Sequence, residues 1–133
     1  MRTWLKRLWR RRAPHLRTGA EGERLARRHL KERGYRIVET NVRLKIGEID
    51  IVAEEGGALV FVEVKTRREG DDYSPFLNIT PGKRKKLIAL ARLYCARKRI
   101  EDRSLRFDLV GVSLAGAEPQ VTLLQNAFGA PRR

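Results

Sequence analysis

Residues 47–66, GEIDIVAEEGGALVFVEVKT, read as two strands joined by a hairpin turn. Gly56 and Gly57 stand between two apolar runs, and both can take the positive φ that a two-residue turn demands. Folding about that pair sets position i opposite position 113 minus i, so Asp50 is expected to face Glu63, and Glu48 to face Lys65. Side chains alternate along a strand. Glu48, Asp50, Glu63 and Lys65 should therefore share one face, with Ile49, Ile51 and Ala53 turned away from Asp50 and Val60, Val62 and Val64 forming a core face. Three carboxylates and an ammonium on a half-buried sheet serve stability poorly and suit a divalent cation. They give way to Val52 and Phe61 within one pair, so the carboxylates are partly desolvated, which is costly without a metal or a cationic partner. Opposite charges also face each other on ordinary sheet surfaces. The pattern leaves two readings open, a cation site and a solvated charged face.

Working outward, Thr18-Gly-Ala-Glu21 matches a capping box, with Thr18 as N-cap of a helix that Gly34 stops. Leu25, Ala26, His29 and Leu30 mark its buried stripe. Glu23 precedes Ala26 and Leu30 by three and seven residues, so it is expected on the core side. There it either extends a metal site or sits in the positive field of the helix start. Tyr35–Leu44 reads as a strand, with Tyr35, Ile37 and Glu39 on one side. Arg67–Ile79 is polar and turn-rich and reads as a loop beside the site. Thr80-Pro81 opens a second helix, with Leu87, Ile88, Ala91, Tyr94 and Cys95 as its apolar stripe, and Leu105–Leu114 and Pro119–Leu124 read as two more strands. Helix, three strands, helix and two strands make an α/β chain. Its meander is continued, after a helical crossover, by a strand that joins the sheet in parallel.

The chain has 133 residues, 41% of them hydrophobic, which bounds it to one folded domain with an ordinary core. Residues 1–17 form a basic arm expected to be disordered, 18–126 the domain and 127–133 a tail. Against 16 Asp and Glu stand 30 Lys and Arg, a net charge of +14 that points to a polyanionic partner. Half of that excess lies in residues 1–18, which hold seven basic residues and no acid. The second helix, residues 80–100, carries eight more and again no acid, a density that favours phosphate contacts. No apolar run is long enough to span a bilayer. A single cysteine, Cys95, excludes an internal disulfide and a cysteine-rich zinc site, and a cytoplasmic location is expected. Trp4, Leu5, Leu8 and Trp9 recur at helical spacing, so the arm also has a membrane-surface reading.

Several of these residues carry a resemblance. Asp50 on one strand and Glu63-x-Lys65 on the next, within an αβββαβ order, look like the restriction-endonuclease-like PD-(D/E)xK superfamily. Within it, Gly22-Glu23-x-x-Ala26, Asn41, Gly47-Glu48-Ile49-Asp50, the run Phe61–Arg67, Thr80-Pro81-x-Lys83 and Arg106-Phe107-Asp108 resemble the bacterial YraN family, uncharacterised protein family 0102, grouped with Holliday-junction-resolvase-like nucleases. The resemblance covers residues 18–114. Ile49 stands where a proline is common, His29 where relatives carry an aromatic ring, and Leu77 and Asn78 where a carboxylate is frequent.

What the resemblance implies is hydrolysis of phosphodiester bonds in nucleic acid, DNA ahead of RNA and branched or damaged DNA among the candidates, with Mg2+ or Mn2+. Asp50 and Glu63 would hold the metal, Glu23 would add a ligand or orient water, and Lys65 would orient or deprotonate the attacking water or stabilise negative charge. Glu48, opposite Lys65, would tune the lysine. Arg67, Lys83, Arg84, Lys85 and Lys86 would contact phosphates, joined by Arg10, Arg11 and Arg12 of the arm. A homodimer is a further expectation. The alternative is a nucleic-acid-binding protein that keeps the fold without turnover.

Overall fold

Gly56 and Gly57 have φ of 58° and 80°, and the turn they make sets the register read from the sequence, from Ile51 opposite Val62 to Glu55 opposite Ala58. The computed structural model describes residues 14–68 and 78–129. Arg10, Arg11 and Arg12 of the arm, the middle of the loop after Arg67 and the last four residues lie outside them. In chain order the elements are α1 (Pro14–Glu32), β1 (Arg36–Leu44), β2 (Gly47–Glu55), β3 (Ala58–Arg67), α2 (Pro81–Lys98), β4 (Leu105–Ser113) and β5 (Gln120–Phe128).

These strands form a five-stranded sheet in the order β1-β2-β3-β4-β5. Neighbours run antiparallel except β3 and β4, which pair in parallel from Leu59–Leu105 to Arg67–Ser113. A parallel neighbour cannot follow a tight turn, so the chain crosses over through α2. The fold is thus the mixed α/β sheet expected. Among the described residues each face of the sheet is covered by one helix. Ala26 and Leu30 of α1 pack with Ile51, Val60, Val62, Val110 and Val112, and Leu87, Leu90 and Tyr94 of α2 pack with Ile49, Val52, Phe61 and Phe107. Burial on both faces is why β3 reads as a nearly continuous run of Val, Leu and Phe.

The helix ends follow local chemistry. Thr80 takes the N–H of Lys83 on its hydroxyl at 3.2 Å, with Pro81 in the first turn, as the Thr-Pro pair predicts. At the end of α1, Gly34 has φ of 87°. The Gly34 N–H donates to Lys31 O at 3.1 Å and the Tyr35 N–H to Leu30 O at 3.0 Å, which satisfies the last carbonyls of the helix. Its start differs from expectation. Helix α1 begins at Pro14, so Thr18 lies inside it and is no cap; proline's fixed φ suits a first helical turn. Glu21 pairs with Arg24 at 3.2 Å.

Two strands depart from strict alternation. A register shift between Ile37 and Glu39 inserts Val38 as an extra residue and switches faces. Ile37 joins the α1-side core, while Glu39 accepts from the Tyr94 hydroxyl of α2 at 3.1 Å. Tyr35, Ile37 and Glu39 therefore do not share a side. Strand β5 runs on to Phe128, past the expected end at Leu124, through a second register shift. Asn126 there has φ of 52° and gives its N–H to Asp108 at 2.9 Å.

Asp108 is 1% exposed, and its carboxylate is fully engaged. Arg106 grips both oxygens, Nε at 2.9 Å and Nη2 at 2.8 Å, and the Tyr35 hydroxyl donates at 2.7 Å. Arg106 Nη1 also meets Glu55 at 2.7 Å, and Gln125 donates to the Tyr35 oxygen at 2.8 Å. Burial pushes the Tyr35 phenol up to about 12, so it stays protonated as a donor. The network ties β2, β4 and β5 to the end of α1, with each oxygen of a buried charge paired.

Candidate active site

The ladder between β2 and β3 stops at Ile51–Val62, whereas β2 goes on pairing with β1 down to Gly47. At the point of parting, Asp50 Oδ2 accepts the Val64 N–H at 2.8 Å. A side chain replaces the next ladder bond, and the two central strands fork. Ile49 then lies on the α2 side with Val52, not with Ile51 and Ala53 on the α1 side. Asp50 and Glu63 are consequently not the ladder pair that an extended hairpin would make. They remain neighbours across the fork, close enough for the Glu63 charge to act on Asp50.

That fork is a hard place for two negative charges. Burial pushes the Asp50 carboxyl up to about 7, and Glu63 and then Glu23 add to the push against the Val64 N–H and Lys83. Glu63, its side chain 14% exposed, is raised as well, by burial first, while Lys83 and Lys65 hold it down. Desolvation and a like-charged neighbour both disfavour the ionised acid. Lys83 Nζ lies 3.4 Å from Glu63 Oε1. Lys65 donates to the Asn78 carbonyl at 2.7 Å, which ties the end of β3 to the residues that cap α2.

Glu23 reaches the same region because α1 crosses β3 closely. Gly22 is buried, and a methyl group added there would fall on the Thr66 hydroxyl. Only glycine lets the helix lie that near the strand, and the following residue, half-buried Glu23, is thereby brought within reach of Asp50. The sequence marks Gly22 but not this role, since helical pattern alone does not report how close a strand passes.

Other expected residues fall elsewhere. Glu48 pairs with Arg43 at 2.9 Å, both about half exposed, because the fork carries it toward β1 and away from Lys65. Lys83 is held on Glu63, so it belongs to the acidic site and not to a free basic face. Arg84 Nε donates to Ile79 O at 3.1 Å, leaving Lys85 and Lys86 exposed beside it on the first turns of α2. Arg67 is half-buried at the end of β3. Among the described residues no three His, Cys, Asp or Glu side chains gather as a ready metal cage. The pair Asp50 and Glu63 offers oxygen donors only, which suits a hard cation that takes one or two carboxylates and fills its shell with water and phosphate, and does not suit zinc. Two half-buried carboxylates held above their ordinary pKa would be stabilised in their ionised form by a divalent ion.

Among the described residues the chain is thus a mixed five-stranded sheet with one helix on each face, forked at its centre beside an acidic pair. The model of the family described as "Uncharacterised protein family UPF0102" matches residues 22–112. The chain belongs to that family. It is 45% identical to a UPF0102 protein of Dehalococcoides mccartyi over 84% of this chain and 93% of the relative. It is 46% identical to one of Symbiobacterium thermophilum over 86% and 98%, and 42% identical to one of Syntrophus aciditrophicus over 86% and 90%. Among the described residues no helix is long and apolar enough to cross a membrane.

Proposed function

We propose that this chain hydrolyses phosphodiester bonds in nucleic acid, DNA ahead of RNA, with Mg2+ or Mn2+ held by Asp50 and Glu63. The observation that carries the reading is the fork, where two half-buried carboxylates stand side by side near Lys65. The sheet order and the Asp, Glu-x-Lys pattern, similar to the PD-(D/E)xK nucleases, support it. A divalent cation bound there supplies Lewis acidity toward a water molecule and toward a phosphate oxygen. Asp50 and Glu63 bind that cation, and Glu23 orients water from the α1 side. Lys65, two residues from Glu63 on the same strand, sets an ammonium beside the charge that develops on phosphorus oxygens. Lys85 and Lys86 contact the backbone of the substrate, which positions it without reading sequence.

The Lys83 ammonium, which already stands 3.4 Å from Glu63, favours a second reading, a nucleic-acid-binding protein without turnover whose acidic pair is neutralised from within the chain. Cleavage of single-stranded, duplex, flapped and four-way DNA with manganese separates the two. Under the nuclease reading the wild type cuts at least one substrate, and Lys65→Ala stops cutting while binding it almost as tightly. Binding with no cutting of any substrate selects the second reading.

A further inference from the structure

We infer that Lys83 is the resident counter-ion of the acidic pair, that a divalent cation displaces it, and that the released ammonium then becomes a phosphate contact. This rests on the metal site proposed above and adds a positioning residue to it.

The geometry is one of competition for a single oxygen. Lys83 Nζ sits 3.4 Å from Glu63 Oε1. A magnesium ion coordinated by that carboxylate would lie about 2.1 Å from its oxygen. An ion there would compete with the ammonium for the lone pairs of that oxygen, and at such separations their like charges repel. Of the two, the ammonium is the one free to move. The two ends of the ion pair differ in freedom: the Glu63 side chain is 14% exposed and the Lys83 side chain 49% exposed. Glu63 is fixed on a central strand, whereas Lys83 stands on the first turn of α2 with its backbone N–H held by the Thr80 hydroxyl at 3.2 Å. Its flexible four-carbon stem can swing outward without disturbing that cap. Lys86, three residues on and exposed, is its neighbour on the helix surface, so a released ammonium would join that basic face.

The arrangement also explains how the acidic pair persists without a cation. Lys83 lowers the cost of ionising Glu63 and Asp50, a task that a divalent ion takes over. The Lys65–Asn78 bond at 2.7 Å ties the end of β3 to the residues before α2, and the Thr80 cap fixes the first turn that carries Lys83 to Glu63.

The test is manganese binding by isothermal titration on the full-length wild type, Lys83→Gln, Lys83→Arg and Asp50→Asn. Lys83→Gln should bind manganese roughly two- to fivefold more tightly than wild type, since a partly exposed ion pair and its repulsion are removed. Lys83→Arg, which keeps a competing cation, should stay near wild type. With manganese saturating, Lys83→Gln should also lower the slope of log affinity against log salt for duplex DNA by about 0.9, one phosphate contact. Equal or weaker manganese binding by Lys83→Gln, with Asp50→Asn still impaired, overturns the displacement and leaves the metal site standing. Equal binding by wild type and Asp50→Asn removes the metal site and the displacement with it. Melting curves of the four proteins show that each one tested is folded.

Discussion

Replacing Asp50 by Asn should make the protein more stable at pH 8, and the size of the effect follows from the fork. The carboxyl is pushed from its ordinary 3.8 to about 7 in the folded chain. At about 1.36 kcal/mol per pH unit, that difference is worth up to about 4 kcal/mol. The folded state holds the proton more tightly than the unfolded one, so stability is full below pH 4 and is lost as pH rises through 7. An asparagine cannot ionise, yet its side-chain oxygen can still accept the Val64 N–H that Asp50 accepts at 2.8 Å. Asp50→Asn should therefore match wild type within about 1 kcal/mol near pH 4, and exceed it by about 2–4 kcal/mol at pH 8 without divalent metal, once relaxation of Glu63 and Lys83 is allowed for. Urea melts of both proteins in chelator at pH 4, 5, 6, 7 and 8 would read the difference directly. A gap that stays constant with pH would refute the reasoning. So would a mutant less stable than wild type at pH 8, because Asp50 would then be a structural acceptor whose charge the fold requires.

Gly22→Ala should destabilise by about 1–3 kcal/mol despite the better helix propensity of alanine, and Thr66→Ala in the same chain should restore most of the loss in thermal melts. Tyr35→Phe removes a hydroxyl from the Asp108 network and should cost about 1–3 kcal/mol in urea titrations; no loss would mean that water replaces the hydroxyl there. Lys85→Ala and Lys86→Ala together should lower the salt slope of duplex binding by about 1.8 without changing which DNA structure is preferred, and an unchanged slope would remove α2 from the phosphate interface.

The nearness of Asp50 and Glu63 is legible because it depends on local rules. Two glycines in a row set the hairpin, and the hairpin set which residues approach. The fork was not legible, since nothing in the alternation of Ile49, Asp50 and Ile51 announces that a carboxylate will take the Val64 N–H and end the ladder. Glu48 was misplaced for that reason. The bulge at Val38 is hidden in the same way, because one extra residue in Ile-Val-Glu leaves composition untouched. The pattern ends the last strand at Leu124, whereas β5 runs on to Phe128 past a register shift where Asp108 takes the Asn126 amide. The partners of Asp108 are Tyr35, Arg106 and Asn126, with Glu55 and Gln125 one contact further out, so their meeting is a property of topology and not of any motif.

The two outer strands share a feature that bears on association. Strands β1 and β5 form the open edges of the sheet, and each carries a register shift and an asparagine at φ of 52°, Asn41 on one and Asn126 on the other. An open edge is a template on which another chain can add its own strand, and such growth needs a long, flat row of unpaired N–H and C=O groups. A bulge interrupts that row and twists it. On β5 the interruption is fixed from inside by Asp108, so loosening the buried network would straighten an edge as well as weaken a core. Variants such as Asp108→Ala are therefore expected to be lost as fibrous or amorphous aggregate before they are seen as unfolded monomer.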